Sequence, residues 1–486
     1  MTIAATSSAT FPATFPSLLN AAESNRPNII IVLADDLGYG DLACYGHPRI
    51  KTPTLDRFAK QGLRLTDCYA AAANCSPSRA GLMTGRTPTR VGIYNWIPTY
   101  SPMHLRKSEL TIATLLRRAG YQTCQVGKWH LSGALDDASQ PQPGEHGFDH
   151  WFATQNNALP NHANPFNFFR NGKPAGQLDG FSAALVAAEA DRWLRESRRP
   201  DSPFFMYVCF HEPHEPIATD PQFAKLYPDA SPSQAGHHGN VSQLDAGFAR
   251  LLNTLDELKL RDNTLLIFTS DNGPAITAIH PHGSAGPLRD KKGYLYDGGI
   301  RVPGIMQWPG VIRPGTVSDT PVSGVDWLPT VCDVAGVEPP ADRTLDGVSV
   351  APLFRGEPVR RTKPLYWQFH RAQGDIRVAM RDGDWKLVAE LTSPRPKPSG
   401  EIAEGETEAM KQAELEDFHL YNLRNDIAEQ RDLQATHPAK FRELRDAMIA
   451  FHHDVRNEQP LWPAWEWPRY ESQHIVWPAY WKPRKK

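Results

Sequence analysis

Pro27-Asn28-Ile29-Ile30-Ile31-Val32-Leu33-Ala34-Asp35-Asp36 is an apolar run that stops on two carboxylates. Its lack of polar alternation marks a strand covered on both faces, which is the habit of parallel sheets. Two further runs, 204–210 and 264–269, have the same texture. Between them Leu244, Phe248, Leu251, Leu252, Leu255 and Leu258 recur at helical spacing. A second helix is expected over 108–120, with Ser108 as its N-cap and Gly120 as its stop. This alternation over residues 27–335 predicts an α/β fold: a large, mostly parallel sheet sandwiched by helices.

From residue 361 onward the texture changes. Segments 365–369, 376–381 and 385–390 read as short antiparallel strands, with a turn at Asp382-Gly383-Asp384. The stretch 393–416 is polar and rich in Pro and Glu, so it reads as an exposed loop; 438–457 reads as a helix. Five of the 13 Trp fall within 462–481, in a Pro-rich tail expected to wrap the surface with its aromatics packed. The organisation expected is an N-terminal extension over 1–26, a catalytic domain over 27–360 and a smaller C-terminal α+β domain over 361–486.

Composition narrows the function classes. The chain has 486 residues, 40% hydrophobic and 22% charged, which is ordinary for a globular protein. A net charge of −2 argues against a nucleic-acid-binding face. No apolar run is long enough to span a bilayer. The first 25 residues lack a basic start and a continuous apolar core, so no secretory signal is read there. The six cysteines show no paired metal spacing, and all but Cys75 read as buried thiols.

Strand ends carry the chemistry in such sheets. The first strand ends in Asp35-Asp36 and the 264–269 strand in Asp271-Asn272-Gly273. Together they offer three carboxylates and an amide oxygen, a hard donor set suited to Ca²⁺ or Mg²⁺. Cys75-Ser76-Pro77-Ser78-Arg79 opens a helix, with Ser76 placed to cap it; helix N-termini attract anions, and Arg79 adds a forked cation. Thiolate suits such a cation poorly, so a Cys75 altered to carry oxygen fits better. Gly127-Lys128-Trp129-His130 and His211-Glu212-Pro213-His214 follow other strands, and Lys292 follows the 264–269 strand by a long loop. Arg79, Lys128 and Lys292 can bind the oxygens of a transferring group while a neighbouring His protonates the leaving alkoxide.

These segments, in order over residues 27–305, resemble the formylglycine-dependent sulfatases of the alkaline phosphatase superfamily. Asn28–Asp36, the Cys75-x-Pro77-x-Arg79 pentapeptide, Gly127–His130, Asp271-Asn272-Gly273 and Lys292-Gly293…Gly298-Gly299-Ile300-Arg301 carry the resemblance, and Leu420-Tyr421-Asn422 adds to it. The spacing is similar to the arylsulfatase A and N-acetylgalactosamine-6-sulfatase branch. The resemblance implies that a separate maturation enzyme oxidises Cys75 to formylglycine. It also implies one Ca²⁺, held by Asp35, Asp36, Asp271, Asn272 and the converted Cys75. Arg79 and His130 would then support the formylglycine, and Lys128 and Lys292 would hold sulfate oxygens. His214 would protonate the leaving group, with His211 as second choice. Asp297, where the family often has Glu, and Ser132, where Gly is common, are departures. The expected substrate is a sulfated carbohydrate, with an aryl sulfate also open. Segment 155–170 and a loop around 237–240 are expected to shape its pocket. A phosphonate or phosphate monoester hydrolase and a catalytically silent sulfated-glycan-binding protein are the alternatives.

Overall fold

The computed structural model describes residues 26–397 and 399–481, so the extension expected over residues 1–26 lies outside them except for its last residue. Five parallel strands form its centre, in the order Thr264–Ser270, Asn28–Ala34, Phe204–Cys209, Gln122–Lys128 and His150–Thr154. Antiparallel pairing with Gly304–Gln307 on one side and Phe169–Arg170 on the other extends this core to ten strands. The sheet is therefore mixed at its edges and parallel where the predicted strand ends converge.

The apolar run divides between two cores. Ile29, Ile31 and Leu33 join one buried cluster, Ile30, Val32 and Ala34 the other. Alternate side chains of a strand leave on opposite faces, so an all-apolar strand demands helices on both. Cys75–Thr84, Ile112–Arg118 and Trp327–Ala335 cover one face; Ser182–Arg192 and Pro232–Glu257 cover the other.

Several boundaries differ from expectation. The Ile112–Arg118 helix starts at Thr111, whose Oγ1 accepts from Thr114 N at 3.0 Å. Ser108 stays outside because the next residue, Glu109, is held by Arg86 (2.9 Å) and Arg106 (2.8 Å). Residues 237–240 form no loop: they lie buried within the Pro232–Glu257 helix, which Ser231 caps.

The smaller sheet has four antiparallel strands, Leu365–Gln368, Val378–Asp382, Trp385–Leu391 and Leu415–Asn422, backed by the Pro438–Glu458 helix. The expected loop over 393–416 contains a helix, Glu406–Gln412, which buries Thr407 and Met410. Trp367 Nε1 donates to Ala70 O at 2.8 Å, and Lys386 reaches Asp297 at 2.8 Å, so the small sheet is fastened to the large one. The Trp-rich tail is irregular apart from Tyr470–His474, and Trp462 Nε1 anchors it on Gly92 O at 2.7 Å. Among the described residues no helix is long and apolar enough to cross a membrane.

Candidate active site

Asp35 and Asp36 leave the end of the Asn28–Ala34 strand beside Asp271 and Asn272, which leave the adjacent one. Asp36 N donates to Asp271 Oδ1 at 3.1 Å, and Asn272 Nδ2 donates to Asp36 Oδ1 at 2.7 Å. Parallel register alone brings these four residues together. Asp35 Oδ1 and Asn272 Oδ1 are buried with no hydrogen-bond partner. Unpartnered buried acceptors are costly, and hard oxygens of this kind are what a divalent cation such as Ca²⁺ or Mg²⁺ takes. Ligand atoms of Asp35, Asp36 and His214 lie within 4.8 Å of one another. The donor set thus fits the cation expected from the sequence.

Both lysines face this cluster. Lys128 Nζ lies 2.6 Å from Asp35 Oδ2, and Lys292 Nζ 2.7 Å from Asp36 Oδ1. Burial opposes ionisation of Asp35, yet Lys128, His214, Arg79 and Lys292 together hold its pKa well below the usual carboxylate range. Burial pushes Asp271 up to about 7, with Asp35 adding to the effect and Arg79 opposing it. Burial disfavours the charge of Lys292, but Asp36 outweighs it and raises that pKa.

The Cys75–Thr84 helix is buried along its whole length, which explains its few charges. Its cap is Asn74, whose Oδ1 accepts from Cys75 N at 2.8 Å and from Cys75 Sγ at 3.1 Å. Ser76, the expected cap, instead accepts from Ile97 N at 3.0 Å, because the helix begins two residues earlier than a cap at Ser76 implies. Burial, opposed by Lys128 and Lys292, raises the Cys75 thiol. One turn on, Arg79 is fully buried; it spans Asp271 Oδ2 and the Lys128 carbonyl.

The histidines separate. His214, His130, Lys292 and Cys75 line one cavity of about 370 Å³, together with Asn74, Asn156 and Asn157. His214 Nε2 is 3.6 Å from Asp36 Oδ2, and burial lowers its pKa to about 4 against the pull of Asp36 and Asp35. His130 Nε2 sits 3.1 Å from Ile97 O and its Nδ1 has no partner; burial first, then Lys128 and Arg79, hold it neutral. His211 is buried, its Nε2 is 2.8 Å from Thr154 Oγ1, and it is not among the residues of that cavity.

The sequence motifs do not point to Asn74, Trp96, Trp467, Glu471, Ser472 or Ile475, yet all six line the same cavity, so the tail does more than pack on the surface. The density of Trp in 462–481 was the available signal. Of the expected pocket segments, 155–170 contributes Asn156 and Asn157, whereas 237–240 contributes no residue to this cavity.

Comparison with known proteins gives the family. Residues 27–337 match the family model described as Sulfatase, and residues 288–393 match one described as N-sulphoglucosamine sulphohydrolase, C-terminal. Arylsulfatase A of Homo sapiens is 37% identical over 390 residues, covering 75% of this chain and 75% of that protein. N-acetylgalactosamine-6-sulfatase of Rattus norvegicus is 34% identical over 395 residues, covering 76% and 72%. Among solved structures, Ps i-CgsB in complex with k-i-k-neocarrahexaose superposes with a TM-score of 0.77 at 27% identity, covering 92% and 96%. The phosphonate monoester hydrolase of Agrobacterium radiobacter shares the fold, with a TM-score of 0.63 at 21% identity over 88% of this chain and 96% of that one. A strand-end acidic cluster beside a capped Cys75 helix, on a chain matched in this way, makes the protein a sulfuric ester hydrolase belonging to the sulfatase family.

Proposed function

We propose that this sulfatase hydrolyses a sulfate ester of a carbohydrate, using a formylglycine derived from Cys75 and one Ca²⁺. The observation that carries the reading is the single cavity shared by Cys75, His130, His214 and Lys292, set against the acidic cluster. Asp35, Asp36, Asp271 and Asn272 would hold the ion, and the converted Cys75 would complete the set. Bound there, Ca²⁺ would neutralise the carboxylates and polarise a sulfate oxygen, while the converted Cys75 would supply an oxygen nucleophile.

The chain's own residues do the rest. With the carboxylates neutralised, the ammonium groups of Lys128 and Lys292 are free to face the sulfate oxygens, where negative charge develops. Arg79 keeps Asp271 oriented toward the ion. His130 stands beside the converted Cys75, its free Nδ1 available to it. His214 would pass a proton from Nε2 to the leaving alkoxide oxygen once the anionic ester beside it has charged a ring that is neutral without substrate; His211, held by Thr154, is the less suited of the two. The similarity to N-acetylgalactosamine-6-sulfatase and to a structure holding k-i-k-neocarrahexaose supports a sugar ester. We take residues 27–360 as the catalytic domain and 361–486 as a second domain that completes the cavity.

The test is peptide mass spectrometry across Cys75, on protein from a host competent to mature sulfatases, with rates on matched 4-nitrophenyl sulfate and phosphate. Aldehyde at Cys75 and faster release of sulfate than phosphate are expected. An intact thiol, with a control sulfatase converted in the same cells, overturns the mechanism.

A further inference from the structure

Glu471 is a buried carboxylate that none of the motif segments accounts for. It lies in the Tyr470–His474 turn of helix, 9% exposed, on the cavity that holds Cys75. Asn156 Nδ2 donates to its Oε2 at 2.8 Å, and Asn157 N to its Oε1 at 3.3 Å. Among the described residues no Lys, Arg or His pairs with it within 4.0 Å. Burying a carboxylate without a cation is costly, so its retention at this place asks for a ligand.

The hydrogen-bonding inventory says which ligand. A carboxylate offers about four acceptor positions, and two donors are in place. Because the Asn156 amide nitrogen faces Glu471, its Oδ1 points elsewhere, and that atom is buried without a partner. Glu471 and Asn156 Oδ1 therefore leave acceptors to spare on this cavity. On the same cavity the Trp96 and Trp467 indoles meet edge to face, centroids 5.3 Å apart, both half-buried. An apolar aromatic surface and spare acceptors on one cavity suit a sugar ring, whose C–H face stacks while its hydroxyls donate.

We propose that Glu471, Asn156 and the Trp96–Trp467 pair form a specificity site that admits a hydroxyl-rich sugar ring and rejects one bearing a second anion beside the reacting sulfate. The inference rests on the reading under Proposed function. A second sulfate or a uronate would bring like charge against Glu471 in a partly water-excluded cavity, where repulsion is stronger than in water. An aryl sulfate can meet the indoles but leaves Asn156 Oδ1 and the remaining acceptor positions of Glu471 unfilled, and a site built around such groups rejects analogues that cannot fill them.

The experiment uses the full chain with Cys75 converted. Its probes are 4-nitrophenyl sulfate, the monosulfated galactoses and N-acetylglucosamines, and the disulfated counterpart of whichever sugar is cleaved. The expected result is a kcat/KM on one monosulfated sugar above that on the aryl ester, and at least about tenfold below it on the disulfated sugar. Glu471→Gln, which keeps size and shape, should lower the sugar-to-aryl ratio about tenfold and remove the penalty on the second sulfate. Turnover of the aryl ester with no sugar cleaved, equal rates on mono- and disulfated sugars, or an unchanged ratio in Glu471→Gln each overturns the inference. Turnover of neither class overturns the proposed function itself.

Discussion

Arg79 Nη2 and Nε both donate to Asp271 Oδ2, at 2.7 and 3.0 Å, while Nη1 donates to the Lys128 carbonyl at 3.0 Å. One guanidinium thus ties the Cys75 helix to the ends of two strands.

A lysine cannot reproduce three directed contacts with one ammonium group. Arg79→Lys should leave buried Asp271 or the Lys128 carbonyl without its partner and lower folding stability by about 3 kcal/mol. Urea unfolding measures this. Turnover of a sulfate ester should fall at least about 100-fold, because a small misplacement of reacting groups is costly. A variant with parental stability and rate would refute this role for Arg79.

Removing divalent cations should destabilise the fold through repulsion within the acidic cluster. Titrating Ca²⁺ into chelator-treated protein should raise the unfolding temperature, by the equivalent of about 2.7 kcal/mol at a hundredfold excess over Kd. Asp36→Asn should blunt the response. An unfolding temperature indifferent to Ca²⁺ in the unsubstituted protein would argue against a cation there.

Acid should weaken the protein through histidines buried as neutral rings. Burial lowers His146 from its ordinary 6.5 to about 4, against the pull of its bond to the Leu105 carbonyl, and lowers His370 to about 3. Below pH 6.5 the unfolded chain takes up protons that the folded one refuses, so stability is lost as pH falls toward 4. For His146 the loss approaches about 3 kcal/mol at the bottom of that window. Urea midpoints at neutral and acid pH should show the slope, and His146→Gln should flatten part of it.

Lys386 is buried between Asp297 (2.8 Å) and Glu429 (2.8 Å), and Glu429 Oε2 accepts from Asp297 N at 2.6 Å. Burial raises Glu429 to about 7, with Lys386 opposing, whereas Lys386 and Arg301 overcome burial to keep Asp297 ionised. Lys386→Met should strand the Asp297 charge and cost about 3 to 5 kcal/mol. Calorimetry should register a matching fall in unfolding temperature. The Asp297 segment leads back to Lys292, so the rate should fall as well.

The parts legible in the sequence were those set by local pattern. Asn28–Ala34 and Thr264–Ser270 announce themselves because two-sided burial leaves no polar alternation, and their terminal carboxylates follow from that. The His and Asn residues at 237–240 read as a loop because their polarity hides a burial that only tertiary contacts supply, such as Asn240 Nδ2 with Ala218 O at 3.2 Å. Glu471 was illegible for a different reason. Its partner Asn156 lies 315 positions away, and no periodicity records such a meeting.

That distance also orders events in time. Asp35, Cys75, Lys128, His214, Asp271 and Lys292 leave the ribosome well before Trp467 and Glu471. Until those last residues dock, the cavity lacks the wall that Trp467 and Glu471 supply, so Cys75, 2% exposed in the folded chain, is bounded on that side only once the C-terminal segment has been made.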